Sequence, residues 1–309
     1  MNLKLGQCPV SWGVEDAADP NNTPFATYFD EAAEAGYHGV ELGPLGYLPT
    51  DTDTLLRELD ARGLKLNAGY LMEPLAEPDK LERTLARTRQ TAEILAAAGA
   101  QVLVVIDDMY PVRADVGGRS DVAQRLDDAA FQGLVDTAHA VARVASEEYG
   151  LTAAFHHHVG TYVEFRDEVD RFLAASDPSL IHFCIDSGHA VYAGMDPVEL
   201  YDAYRERVRY FHLKDVDPAV KERVEPDGLS FDDAVARGMF CPLGKGAVDH
   251  PTLFARMDAA GYDGWASIEQ DRAPGAEQEG RSSFLDDART SFEYVLGLGR
   301  TQPREAVAG

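Results

Sequence analysis

Five of the nine histidines in this 309-residue chain stand at, or just beyond, the ends of short apolar runs, in company with carboxylates and one lysine. LTAAF is followed by His156, His157 and His158; IHFCI leads to Asp186, with His189 three residues on; RYF leads to His212, Lys214 and Asp215; WASI ends in Glu269; GV ends in Glu41. Mixed imidazole and carboxylate donors suit a borderline divalent ion such as Mn, Co or Zn, which polarises a substrate oxygen, whereas calcium asks for more oxygen ligands. Taken singly, each residue has an ordinary alternative: it caps a helix, pairs with a neighbour or meets solvent. Taken together, Asp186, His212 and Glu269 close three successive apolar runs, which points to joint metal ligation.

Within FHHHVGT (155–161) the two-residue period of an extended chain puts His156 and His158 on one face and His157 on the other, so the first pair can serve one pocket. Three adjacent histidines also make surface metal-affinity tracts, but those belong to disordered tails rather than to the end of an apolar run. Lys214 can remain a solvated cation, bridge to Asp215, or enter the site and steady an oxyanion; the third is the expectation taken forward. Trp12 and Trp265 can wall a sugar-sized pocket or pack a core.

These residues need a frame that gathers strand ends. Apolar runs at 3–8, 38–43, 64–70, 101–107, 151–156, 181–186, 209–213 and 264–269 read as strands, with amphipathic helical stretches between them, as at 24–36, 79–99 and 129–150. Glycines 36, 63, 99, 150 and 261 are placed to end helices. Strict β/α alternation implies a parallel sheet covered by helices, and eight units close into a single (β/α)8 TIM barrel whose chemistry gathers at the C-terminal strand ends. The first βα turn reads PVSWGVED, without the glycine pattern of a dinucleotide-binding fold. The long excursion 216–247 is expected to cover the mouth. The reading is one catalytic barrel over 1–299 and a flexible tail over 300–309.

Composition narrows the partners. With 28 basic and 53 acidic residues the chain carries a net charge of −25, which argues against nucleic acid. No apolar stretch is long enough for a membrane span, and no basic-then-apolar leader opens the chain, so a cytoplasmic protein without a membrane partner is expected. Three widely spaced cysteines, 8, 184 and 241, lack zinc-site spacing and read as reduced thiols.

Several short motifs then carry a resemblance: CPVSWG (8–13), GVELG (39–43), HHHVGT (156–161), IDSGH (185–189), HLKDV (212–216), GKGAVD (244–249) and GWASIEQD (264–271). The pattern resembles the xylose-isomerase-like sugar phosphate isomerase/epimerase superfamily, and within it the inosose dehydratase group, over about residues 3 to 297. The resemblance implies a Mn or Co ion, with Zn or Mg compatible, held by Asp186, His212 and Glu269. It implies a fourth ligand at the end of strand five, where relatives usually carry Glu and this chain carries His156. Glu164 is a further source of a carboxylate there, or a contact to substrate hydroxyls.

The implied reaction is dehydration of a keto-inositol or similar keto-sugar through an enediolate, with His158 and Glu164 moving protons and Lys214 steadying oxygen. Trp12, Glu41, His189 and Asp271 are expected to contact substrate. Sugar isomerisation or 3-epimerisation, elimination from a 3-keto-glycoside, and a non-catalytic sugar-binding barrel are the competing readings. A homo-oligomer is expected.

Overall fold

The computed structural model describes residues 2–273 and 282–304. Its strands are β1 (Lys4–Gln7), β2 (Gly39–Glu41), β3 (Lys65–Glu73), β4 (Val102–Asp107), β5 (Thr152–His156), β6 (Ile181–Asp186), β7 (Val208–Leu213), a short pair β8 (Asp215–Val216) and β9 (Phe240–Cys241), and β10 (Trp265–Ile268). Eight of them, all but β8 and β9, close into a parallel barrel in the order β1-β10-β7-β6-β5-β4-β3-β2. They are the eight strands read from the sequence; β3 alone runs well past its pattern, to Glu73.

Helices α1 (Phe25–Ala35), α2 (Thr52–Asp60), α3 (Leu81–Ala97), α4 (Pro111–Ala114), α5 (Asp128–Arg143), α6 (Arg166–Ala175), α7 (Ser187–Tyr192), α8 (Pro197–Tyr204), α9 (Pro218–Asp227), α10 (Phe231–Ala236), α11 (His250–Ala259) and α12 (Phe284–Gly297) fill the connections. Most of their starts follow from short polar side chains that accept from free amides, as Asp51 does from Thr54 and Asp127 from Ala130. Gly36 ends α1 at a φ of 105°, a conformation that a side chain there would strain.

Alternation along the strands creates two apolar layers. One set of side chains packs against the helices in the main core, which holds Leu5, Val40, Leu103, Phe155, Phe183, Phe211 and Ile268. The other set, including Ala68, Val104, Ala154, Cys184 and Tyr210, fills the barrel itself. The excursion after β7 folds as an antiparallel pair, β8 with β9, around α9 and α10, with Phe231 and Phe240 in a satellite core over the mouth.

Part of the segment expected to fray is anchored. Leu3 N donates to Arg300 O at 2.7 Å, Thr301 Oγ1 donates to Leu3 O at 2.8 Å, and the Arg304 guanidinium donates to Ala33 O at 3.2 Å. Thr301 is buried, because these bonds lay the chain across the start of β1; residues 305–309 lie outside the described residues. Among the described residues no helix is long and apolar enough to cross a membrane.

Candidate metal centre and active site

Ala154, Cys184, Tyr210 and Ser267 occupy the barrel interior, so His156, Asp186, His212 and Glu269, each two residues further on, turn inwards at the C-terminal mouth. Strand register joins them: His156 pairs with Cys184, Asp186 with His212, and His212 with Ser267. One donor atom from each of His156, Asp186, His212 and Glu269 lies within 4.8 Å of the others. His156 Nε2 stands 3.4 Å from Asp186 Oδ2, and His212 Nδ1 stands 3.1 Å from Glu269 Oε2.

These donors fit a divalent cation. His212 Nδ1 is buried and makes no hydrogen bond although it faces Glu269 at 3.1 Å, an unsatisfied ring nitrogen of the kind a metal would occupy in place of a proton. The surrounding charge agrees. Burial alone would push the Asp186 carboxyl up, yet Lys214 and His189 hold it well below the usual carboxylate range; His212 and Lys214 do the same for Glu269.

The run Asp186-Ser187-Gly188-His189 is a device for seating Lys214. Asp186 accepts from His189 N at 2.7 Å and starts α7. Ser187 Oγ accepts from Lys214 N at 2.9 Å and donates to its carbonyl at 2.7 Å. A side chain on Gly188 would collide with the Lys214 stem, so only glycine lets the lysine pass. The ammonium then lies 3.3 Å from Asp186, 3.1 Å from Glu269, 2.8 Å from Asp271 and 3.0 Å from His189 Nε2. Burial opposes its charge, but Asp186, Asp271 and Glu269 raise it well above the ordinary lysine value. Asp215 is not its partner, being occupied by the amides of Gly244, Gly246 and Val248.

A cavity of about 180 Å³ opens above this cluster. His156, His158, Lys214, Glu269 and Asp271 supply its polar wall, with Glu15 at the rim, and Met72, Ile106, Met109 and Phe231 supply the apolar one. Below the size of drug-scale pockets, it suits a single-ring substrate. His158 donates from Nδ1 to Val159 O at 2.7 Å, which leaves Nε2 as an acceptor; burial, His156 and Lys214 lower the ring to about 3, so it stands neutral. Burial raises Asp271 and Lys214 pulls it back, leaving it at about 6. His189 lies behind His158, ring centroids 3.8 Å apart, and reaches the site through Lys214. His157 is fully buried beside Phe183, on the opposite side of the strand from His156 and His158.

Three expected site residues lie elsewhere. Trp12 is in the core, its indole nitrogen donating to Glu31 at 2.6 Å and its ring against Tyr28, so it does not wall the cavity. Glu41 is buried beneath the cluster, where it meets Tyr210 and His212 rather than substrate. Glu164 is turned away from the mouth: it accepts from Gly118 N at 2.6 Å and Gly160 N at 3.0 Å and faces the buried Arg113 at 3.3 Å. Burial lifts its carboxyl to about 7 against those contacts, but no reacting atom can reach it there. Glu164→Gln is therefore expected to leave turnover intact, and a loss of about a hundredfold or more would return it to proton transfer. Arg113→Met, which strips Glu164 of its counter-charge, should destabilise the fold by about 3–5 kcal/mol in chemical denaturation.

Sequence reasoning passed over Glu15, Tyr210 and Phe231. Glu15 follows the first strand in PVSWGVED, and the walls of the mouth together with Asp271 push its carboxyl up, an effect softened by its solvent-facing edge. Tyr210 could have been found as the polar residue two positions before His212. Phe231, from the excursion, carries no local signal for the site.

The whole arrangement has known counterparts: residues 29–288 match the xylose isomerase-like TIM barrel family. The chain belongs to that family. Among its relatives the inosose dehydratase of Geobacillus kaustophilus is 34% identical over 278 residues, 88% of each chain. Two solved structures share the barrel. The IolI protein with a bound zinc atom superposes with a TM-score of 0.71 at 14% identity, covering 96% of this chain and 98% of that one. The D-allulose 3-epimerase of Methylomonas sp. gives 0.68 at 17% identity, covering 96% and 97%. At those identities the likeness is one of fold.

Proposed function

We propose that this xylose isomerase-like barrel dehydrates a keto-inositol of the 2-keto-myo-inositol type, using a divalent ion held by His156, Asp186, His212 and Glu269. One observation carries the reading: His156 and Glu269 of the four clustered metal-type donors, the Lys214 ammonium and the His158 imidazole open on one cavity of single-ring size. Identity of 34% to an inosose dehydratase supports the same substrate class. Mn or Co suits the two histidines and two carboxylates, and the zinc of IolI shows that a related barrel takes a borderline ion. The three free thiols support a cytoplasmic setting.

When bound, such an ion supplies Lewis acidity, drawing electrons from the substrate ketone and acidifying the adjacent C–H. His158 Nε2, neutral and facing the cavity, accepts that proton. Lys214 keeps its charge and steadies the oxygen on which negative charge develops. Loss of the β-hydroxyl as water requires a proton, which Asp271 or Glu15, the other carboxyls on the cavity, supplies. Phe231 and the methionines opposite keep bulk water from the enediolate. His158→Asn is expected to lower kcat by about 10²–10⁴ while metal content stays at the wild-type level.

The test is to incubate protein with 2-keto-myo-inositol, with and without Mn or Co, and follow the ultraviolet absorbance of the enone product. Metal-dependent growth, stopped by chelator, is the expected result. A metal-loaded protein that produces no enone, but scrambles configuration at the carbon next to the ketone, would replace dehydration with epimerisation.

A further inference from the structure

A string of polar side chains runs down the barrel axis from the metal donors, and the reaction scheme uses none of it. Asn67 Nδ2 donates to Tyr210 Oη and, at 3.0 Å, to Ser267 Oγ. Ser267 Oγ lies 2.8 Å from Tyr210 Oη, and Tyr210 Oη donates to Glu41 Oε1 at 2.8 Å. The same Glu41 oxygen is 3.1 Å from His212 Nε2. All five residues are at most 2% exposed.

The donors impose one direction. The amide of Asn67 donates to the tyrosine and serine oxygens, and the Tyr210 hydroxyl gives its one hydrogen to Glu41, which leaves Ser267 to donate towards Tyr210. Glu41 is thereby an acceptor, and the remaining neighbour of Oε1 is His212, which must place its hydrogen on Nε2. With that hydrogen fixed, the neutral ring that binds a metal carries its lone pair on Nδ1, the atom that faces Glu269 at 3.1 Å and makes no hydrogen bond.

We infer that Glu41, held by Tyr210, is a positioning residue that sets the tautomer and ring orientation of His212 for metal binding. The inference rests on the metal assignment made above, and not on the identity of the substrate. A competing arrangement exists: Cys8, Glu41, His212 and Glu269 also offer donor atoms within 4.8 Å of one another, which would make Glu41 itself a ligand beside a thiolate. The hydrogen bonding favours the positioning role: Glu41 Oε1 is already engaged by Tyr210 Oη and His212 Nε2, whereas His212 Nδ1 makes no hydrogen bond and faces Glu269.

The experiment titrates Co(II) into metal-free protein, reading affinity by chelator competition and geometry from the visible d–d spectrum. Glu41→Gln keeps the shape but replaces a charged acceptor with a neutral one. It is expected to bind Co(II) about 10–100-fold more weakly than wild type, with a shifted spectrum. Tyr210→Phe, which leaves Glu41 and His212 in place, should move both readouts in the same direction by less, and it carries the test if Glu41→Gln does not fold. Cys8→Ser should change neither. Wild-type affinity and spectrum in the folded Glu41→Gln or Tyr210→Phe variant would overturn the assignment. So would a thiolate-to-cobalt charge-transfer band that disappears in Cys8→Ser, or a wild-type protein that binds no divalent ion. No substrate enters the measurement, so a Co(II)-loaded protein without dehydratase activity counts against the proposed reaction alone.

Discussion

Glu269→Gln should lower kcat/KM for 2-keto-myo-inositol by about three orders of magnitude, because a polarising cation contributes several kcal/mol to the barrier and each ~1.4 kcal/mol is tenfold. The substitution conserves shape and removes one charge from the place where His212 Nδ1 and the Lys214 ammonium both lie 3.1 Å away. Metal content should fall in parallel with rate, and excess Mn or Co should restore only part of the activity. Full metal occupancy with undiminished turnover would remove Glu269 from the ligand set. The fold itself should survive, since Glu269 lies beyond the last residue of β10 and its backbone amide still donates to Leu213 O at 3.0 Å.

Lys214→Met is expected to have two large effects that separate on addition of metal. In the metal-free protein it leaves Asp186, Glu269 and Asp271 without their shared cation, and burying unpaired charge should cost about 3–5 kcal/mol of stability. Bound metal stabilises the folded state by mass action, so part of the lost thermal stability should return with Mn or Co. The rate should not return: loss of an oxyanion-stabilising donor is expected to hold kcat about 10²–10³ below wild type at saturating metal and substrate. If instead saturating metal restored kcat along with stability, Lys214 would be a counter-charge to the carboxylates with no part in the reaction.

Which parts of this site could be read early follows from how each residue is specified. Asp186, His212 and Glu269 announced themselves because a strand has a period of two and a barrel gathers its strand ends, so position along the chain nearly determines position in space. His156 and His158 shared a face for the same reason. Glu41 misled, since it also ends a strand; but β2 is only three residues long and its register with β3 shifts between Val40 and Glu41, which leaves the carboxylate below the mouth. Trp12 and Glu164 misled differently. Trp12 ends a single 3-10 turn and Glu164 lies in a loop, where no strand period dictates direction, and each was claimed by partners outside its own segment: Glu31 in one case, Arg113 and the amides of Gly118 and Gly160 in the other.

By itself the sequence determined the eight β/α units, the closed barrel they imply, the donors at the ends of β5, β6, β7 and β10, and the family that those motifs share. These are local properties, written in periodicity and in residue type at strand ends. Only the tertiary structure decided that Lys214 is threaded past Gly188 into three carboxylates, that Phe231 of the excursion roofs the cavity, and that Tyr210 and Glu41 brace His212 from beneath. Those contacts join residues 26 to 171 positions apart, and which of several buried acids meets which base depends on distances of an ångström or two, set by packing rather than by any repeat along the chain.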